Sequence, residues 1–155
     1  MTRTTARQIA IQLSFAAAAA DESADVVLDR FFDRDYFSSL GGENRLFAEY
    51  PVDKQLEYIR TLTTLICQHR QELDSYIEKY SKGWKLNRIS GTARAVLRCA
   101  MCEVLFMDDV PNAAAINEAV ELAKGYDEPE TVSFINGIMG SFVKGELGAI
   151  EIDGQ

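Results

Sequence analysis

Histidine is scarce in this chain of 155 residues, which contains only His69. A single histidine excludes sites that need two, such as a HExxH zinc site or the paired ExxH motifs of ferritin-like proteins. Cysteine is scarce as well, and three cysteines do not make a disulfide framework, so we expect a reducing cytoplasm. No apolar run reaches the roughly 18 residues of a transmembrane helix, so we expect no contact with a membrane.

Basic residues are outnumbered, with 16 Lys and Arg against 24 Asp and Glu and a formal net charge of −8. That balance argues against a general nucleic-acid coat protein, because phosphate binding depends mainly on Lys and Arg. The distribution is uneven, however. Between Glu78 and Glu103 there are six bases and no acid, whereas from Met101 onward eleven acids face only Lys124 and Lys144. The pattern predicts either a bipolar surface or an ordinary solvated one.

The N-terminus allows two interpretations. Arg3 and Arg7 precede a largely apolar stretch that ends in small residues before Asp21, as a signal peptide does. Polar residues interrupt the stretch, and its apolar positions fall at helical spacing, which favours an amphipathic core helix. Secretion remains the alternative, and intact-mass measurement would detect the cleavage.

Helical periodicity dominates the chain and predicts an all-α fold of six or seven helices. We expect one domain over residues 1–145 and a flexible tail over residues 146–155. Helices are predicted at residues 5–20, 24–34, 52–80 with a break near 68–71, 90–107, 111–124 and 129–144. Residues 36–51 are predicted to be irregular, with room for one short helical turn. The helix at 90–107 has an uninterrupted apolar stripe, which predicts that it is central.

The motifs of catalysis and metal binding are weak. Cys99 and Cys102 form a CxxC, but they lie inside the strongest helical pattern, so we interpret them as buried structural cysteines. Asp108 and Asp109 precede a helix, where acids favour the helix dipole. No phosphate loop, nucleophile elbow or histidine triad is present. We therefore expect neither an enzyme nor a bound metal or cofactor.

The start of the first helix is the best binding candidate. Arg3 and Arg7 are four residues apart, so they share a helix face beside the N-terminal amides, an arrangement that suits phosphate. Phe15 lies further along this helix, and Tyr126 precedes the last one. Aromatic side chains stack on single-stranded RNA bases, at about 1–3 kcal/mol per base. Core packing of Phe15 is the open alternative.

Three segments in the second half of the chain form a specific pattern over about residues 84–138. In order, they are Trp84…Arg88-Ile89…Ala95-Val96-Leu97-Arg98…Glu103-Val104-Leu105 with Val110-Pro111, then Ala115-Ile116-Asn117-Glu118-Ala119-Val120-Glu121-Leu122-Ala123-Lys124, then Phe134-Ile135-Asn136-Gly137-Ile138. In these segments the chain resembles the NusB family, and its first helix matches more loosely.

The resemblance implies a non-catalytic bacterial transcription antitermination factor. Such a factor binds boxA, a short single-stranded RNA element of nascent transcripts that include ribosomal RNA leaders. It does so jointly with NusE, a small-subunit ribosomal protein, and joins the RNA polymerase antitermination complex. The family's RNA-facing positions correspond here to Arg7, Gln12, Phe15, Tyr126 and Phe134, and we add Arg3 from its place beside Arg7 at the start of the first helix.

Other motif residues are predicted to be structural. Asn117 and Asn136 are interpreted as inward amides between the last two helices, supported by a network of Arg98, Glu103 and Glu118. The chain departs from the family at Arg3-Thr4-Thr5-Ala6-Arg7, where other members carry a run of arginines, and at Ser133, where members can carry lysine. We therefore expect weak binding of RNA by the chain alone, with the basic partner supplying charge as it docks on the acidic C-terminal face.

Two other functions remain open. One is a protein-interaction module of the same fold with little RNA binding, which the depleted arginines favour. The other is a relative of the accessory domain of an RNA cytosine methyltransferase. These 155 residues contain no glycine-rich nucleotide-binding strand–loop–helix, so we do not expect methyl transfer by this chain.

Overall fold

The computed structural model describes residues 1–42, 44–84, 89–126 and 128–153, and this part of the chain contains eight α-helices, one 3-10 turn and no strand. The all-α fold class is confirmed. The predicted number of helices, six or seven, is wrong, because a further short helix at Arg34–Leu40 follows the end of the second one. The chain divides into two compact units, Met1–Gln68 and His69–Gln155.

The first unit is built around the packing of its first helix on its last. Its helices are α1 (Arg3–Ala20), α2 (Ala24–Phe31), α3 (Arg34–Leu40) and α4 (Asp53–Gln68), with a 3-10 turn at Arg45–Phe47. The main contact is between α1 and α4, and α2 packs against both. The buried side of α1 carries Ala6, Ile9, Ala10, Leu13 and Ala17, as its spacing predicts.

The predicted helix over residues 24–34 is divided in two. It ends at Phe31, and the Asp33 carboxylate then accepts a hydrogen bond from the Tyr36 backbone amide at 3.0 Å, which starts α3. The stretch predicted to be irregular therefore contains most of α3 as well as the 3-10 turn. The rings of Phe31, Phe37 and Phe47 pack edge to face and close this part of the unit.

The second unit consists of α5 (Arg70–Ser81), α6 (Gly91–Phe106), α7 (Asn112–Tyr126) and α8 (Pro129–Asp153). Helix α6 contacts α5, α7 and α8, which confirms its predicted central position. It begins after Ser90, whose hydroxyl accepts a hydrogen bond from the Ala93 amide at 3.0 Å. Cys99 and Cys102 are buried inside it, as predicted.

Two helix ends test the sequence pattern directly. The predicted break near residues 68–71 is confirmed, since α4 ends at Gln68 and α5 begins at Arg70. The end predicted near Lys144 is wrong, because α8 continues to Asp153. Glu146, in this added part, accepts hydrogen bonds from Lys79 and Tyr80 of α5. The single domain over residues 1–145 and the mobility of residues 146–155 stay predictions.

No helix in the described ranges combines the length and the apolar character needed to cross a membrane.

Candidate nucleic-acid interface

The two arginines at the start of α1 share one aromatic partner on α4. The Arg3 guanidinium carbon lies 4.0 Å from the centroid of the Tyr58 ring, and that of Arg7 lies 5.7 Å from it. The predicted common face of these residues is therefore present, because positions four apart in a helix lie one turn above each other. Cation–π attraction to the ring holds the positive charges there.

The shared face is turned toward the protein. Arg7 is only 5 % exposed and Tyr58 only 4 %. Arg3 is half-buried, and its Nε donates to Gln55 Oε1 of α4 at 3.0 Å. Of the two guanidinium groups, Arg3 is consequently the one that a phosphate can approach.

The cap of α1 leaves its first turn well defined. The Thr2 hydroxyl accepts a hydrogen bond from the Thr5 amide at 3.1 Å, and the Thr2 carbonyl accepts from the Ala6 amide at 3.0 Å. A capped N-terminus holds the position of Arg3 relative to the helix axis. The partial positive charge of the helix end adds to that of the guanidinium.

Gln12 and Phe15 lie on the exposed side of the same helix. The Phe15 side chain is 48 % exposed, so the alternative that it packs in the core is wrong. The buried stripe of α1 passes through Leu13 and Ala17 instead. The outer side of α1 thus presents a polar amide and an aromatic ring three positions apart, on adjoining parts of one surface.

The two predicted RNA-binding residues of the second unit differ in placement. Tyr126 is the last residue of α7, and its side chain lies outside the described part of the structure. Phe134 of α8 is fully buried. Its ring meets that of Trp84 edge to face, with centroids 5.3 Å apart and an interplanar angle of 90°. Among the described side chains at this place, Trp84 is the exposed aromatic. Arg3, Arg7, Gln12 and Phe15 belong to the first unit, so their combination with Tyr126 and Phe134 stays a prediction.

The predicted polar network of Arg98, Glu103, Asn117, Glu118 and Asn136 is arranged differently from the expectation. The Arg98 guanidinium pairs with Asp74 of α5, through Nε to Oδ1 at 2.7 Å and Nη2 to Oδ2 at 2.9 Å. Arg94 approaches the same carboxylate at 3.5 Å. A two-point pair of this kind fixes both direction and distance, so Arg98 holds α5 to α6.

The other members of that network lie in contrasting surroundings. Glu103 is buried and accepts a hydrogen bond from the Cys99 thiol at 3.5 Å. Asn117 and Asn136 are both exposed, so the structure places neither amide inward, and Glu118 is partly exposed. Glu103 alone of these motif residues belongs to the core.

Lys79, which begins the acid-free stretch, is already paired. Its ammonium donates to Glu146 Oε2 at 2.8 Å, and the Tyr80 hydroxyl donates to the same oxygen. Together these donors hold the pKa of Glu146 below its usual value, the Lys79 hydrogen bond contributing most. Lys82, two residues before Trp84, is exposed.

Three residues that shape these surfaces were missed by reasoning from the sequence: Tyr58, Asp74 and Trp84. Tyr58 and Asp74 carry no local signal of their roles, because their partners are on other helices. Trp84 is the single tryptophan of the chain and follows a glycine at the end of a helix, which is a signal that could have identified it.

Comparison with known proteins adds to this geometry. A family model described as "NusB family" matches residues 4–144. The chain is similar to the transcription antitermination protein NusB of Acetivibrio thermocellus, with 47 % identity over 105 residues that cover 67 % of this chain and 72 % of the relative.

Solved structures share the fold. The structure of T. maritima NusB is 29 % identical, with a TM-score of 0.72 and coverage of 93 % of this chain and 92 % of that one. A chain from a crystal structure of the antitermination factors NusB and NusE in complex with dsRNA has the same fold at 23 % identity. Its TM-score is 0.63, and the match covers 92 % of this chain and 96 % of that one.

Proposed function

Because the chain belongs to the NusB family, we propose that it is a transcription antitermination factor that binds boxA-type single-stranded RNA together with NusE. The match over residues 4–144 is the observation that carries this proposal. It is supported by the relative named as an antitermination protein and by the shared fold with a complex of NusB, NusE and RNA. In this role the chain supports transcription of ribosomal RNA within an antitermination complex on RNA polymerase.

The proposed role is non-catalytic and is exercised in the cytoplasm, where transcripts are made. The arginines, exposed aromatic rings and acidic residues described above suit binding of RNA and of a partner protein. With one histidine in the whole sequence, the common general acid–base residue is nearly absent.

The RNA contact is proposed to extend from the start of α1 to the exposed side of this helix. Arg3 meets a backbone phosphate at the start of the helix, and on the exposed side Phe15 stacks on a base and Gln12 offers an amide to a base edge. Arg7 acts indirectly in this proposal. It is buried against Tyr58, so it keeps that ring in place under Arg3.

The partner is proposed to supply much of the positive charge. Single-strand binding loses about 0.7 logarithmic units of affinity per logarithmic unit of salt for each phosphate contacted. One accessible arginine at the start of α1 therefore gives weak RNA binding by this chain alone, with a shallow dependence on salt. The acidic second half, with eleven acids after Cys102, suits docking of a basic ribosomal protein.

The proposal is tested by measuring the affinity for boxA RNA with and without NusE, for wild type, Arg3→Glu and Phe15→Ala. Tyr36→Ala is the matched control, because Tyr36 is an aromatic of the same unit with similar exposure, 44 % against 48 % for Phe15. Loss of the Phe15 stack is expected to weaken binding by roughly fivefold to a hundredfold. Arg3→Glu should weaken it as well and reduce its dependence on salt.

Absence of RNA binding by wild type in the presence of NusE would refute the proposed function. If wild type binds and all three variants bind equally well, the family role stands and the assignment of Arg3 and Phe15 fails.

The second candidate is an interaction module of the same fold with little RNA binding. The burial of Arg7 favours it, because this leaves Arg3 as the accessible arginine at the start of α1. The same measurement separates the two candidates, since the module would bind NusE without any gain in affinity for RNA.

A further inference from the structure

The Trp84 side chain is held in a fixed position at the surface of the second unit. Gly83 adopts a φ of +92°, which lets the chain turn sharply after α5, and the Trp84 amide donates to the Ser81 carbonyl at 3.1 Å. The indole then lies against the backbone of α8 at Gly137, so closely that a Cβ on this residue would overlap the ring. Gly137 is therefore required by the close approach of the indole.

The same ring remains accessible to a ligand. Trp84 is 40 % exposed although Phe134 supports it from the core at 90°. An aromatic ring that is fixed on one side and open on another loses little conformational entropy when a planar group stacks on it. Asn136, which precedes Gly137 on α8, is exposed as well.

The charges along the chain favour a polyanion as the occupant. Trp84 lies within the acid-free stretch between Glu78 and Glu103, whose described basic residues other than Lys82 are paired with carboxylates. Lys82 is exposed two residues before it. Tyr36 offers the contrast, since this exposed aromatic of the first unit is preceded by Asp33, Arg34 and Asp35, which together carry a net negative charge. Proteins usually bind single-stranded nucleic acid with aromatic side chains that lie among basic residues, because the nucleobases stack on the aromatic rings.

We propose that Trp84 is a base-stacking residue for single-stranded RNA, with Phe134 and Gly137 as the residues that position it. The inference rests on the proposed RNA-binding function and adds a site in the second unit. It moves the stacking role from Phe134, whose ring is buried, to the ring that Phe134 supports. Trp84 stacks on the face of a base, and Lys82 meets the neighbouring phosphate.

The single tryptophan makes a direct test possible. Indole emission is quenched when a base stacks on the ring. The full chain is titrated with boxA RNA in the presence of NusE, and in a parallel arm with inorganic polyphosphate, which carries the charge without the bases. The Trp84→Phe variant contains no tryptophan, so its fluorescence gives the background emission of the other components, which is subtracted. Quenching by RNA but not by polyphosphate is expected.

Affinity measurements on variants complete the test. Trp84→Leu is expected to bind the RNA roughly fivefold to a hundredfold more weakly, as for the loss of one stacked base, and Trp84→Phe to recover part of that loss. Tyr36→Leu, the matched control, should bind like wild type. The quenching is measured on the wild-type chain, so it decides the question even if Trp84→Leu is unstable.

The possible outcomes separate the two proposals. RNA binding without quenching, and with Trp84→Leu equal to wild type, overturns the stacking role and leaves the proposed function intact. Quenching by NusE alone, with no further change on adding RNA, overturns it in favour of a protein contact. Failure of the wild-type chain to bind RNA with NusE present overturns both.

Discussion

The start of α1 and the surface around Trp84 combine the same kinds of side chain in opposite ways. On α1 two guanidinium groups lie over the buried ring of Tyr58, so the aromatic is inside and the charge is partly covered. At Trp84 the buried ring is Phe134, and it supports a second aromatic that is open to solvent. A sequence motif that combines basic and aromatic residues therefore does not show which of these residues can contact a ligand. The partner on the neighbouring helix decides this.

The largest expected change in the free energy of unfolding concerns the aromatic ring beneath the arginines of α1. Tyr58→Ala removes a buried ring and the support of two arginines, and should lower the free energy of unfolding by about 3–5 kcal/mol. Tyr58→Phe keeps the ring and should cost far less. Urea denaturation measures both. Tyr36→Ala, at an exposed ring, is the control and is expected to stay within about 0.5 kcal/mol of wild type. An equal effect of Tyr58→Ala and Tyr36→Ala would show that the ring under the arginines is not a packing element.

An intermediate effect is expected where the indole meets α8. Gly137→Ala places a methyl group in the space of the Trp84 ring, which should destabilise by about 1–3 kcal/mol. Gly140→Ala is the matched control on the same helix. Nothing lies within 4 Å of a Cβ there, so the better helix propensity of alanine should stabilise by about 0.5–1 kcal/mol.

A double variant identifies the cause of the Gly137 effect. If the penalty comes from the indole, Gly137→Ala should cost little in a Trp84→Ala background, as a double-mutant cycle on thermal unfolding will show. A penalty of unchanged size would mean that the two residues are not coupled.

The smallest expected effect concerns the charge at the beginning of the acid-free stretch. The Lys79 and Tyr80 donors hold the pKa of Glu146 below its usual value of 4.5. The stabilisation is therefore fully present above that value and is lost as the pH falls through the lower pKa of the folded state. Glu146→Gln should make the thermal midpoint less dependent on pH between about pH 6 and about pH 3.

The control for this measurement is Glu121→Gln. Glu121 pairs with Lys124 at the same distance, 2.8 Å, but within one turn of α7 and with both side chains well exposed. Solvent screening makes such a pair weak, so its removal should change the pH profile less. If the two variants behave alike, the contact between α5 and α8 contributes no more than a surface pair.

Local patterns in the sequence were sufficient for the main helices. The uninterrupted stripe of α6 predicted its central place, and the polar residues near Gln68 predicted the break before α5. The pattern failed at Phe31, because apolar spacing continues through this residue while the cap made by Asp33 starts another helix. It failed again at Lys144, since Gly145 is typical of a helix end but here lies against Tyr80 of α5.

The candidate site was predictable only where the residues do not depend on a distant helix. The common face of Arg3 and Arg7 follows from spacing within α1, whereas the sequence leaves open whether Phe15 is exposed or packed in the core. The burial of Arg7 does not follow from spacing, because it requires knowing that α4 brings Tyr58 to this face. The family resemblance assigns Phe134 to the RNA-facing surface, and nothing within α8 indicates that the ring of Trp84, from the turn after α5, packs against it.

The pairing of α1 with α4 has a consequence for synthesis of the chain. Arg3 and its hydrogen-bond partner Gln55 are 52 positions apart, so α1 has its main partner only when much of the first unit has been made. Until then the stripe that carries Ile9 and Leu13 is open to water and to other chains. The helices α6, α7 and α8 meet their neighbours in chain order instead. During translation the amino-terminal helix is thus the segment with the greatest need of protection from aggregation.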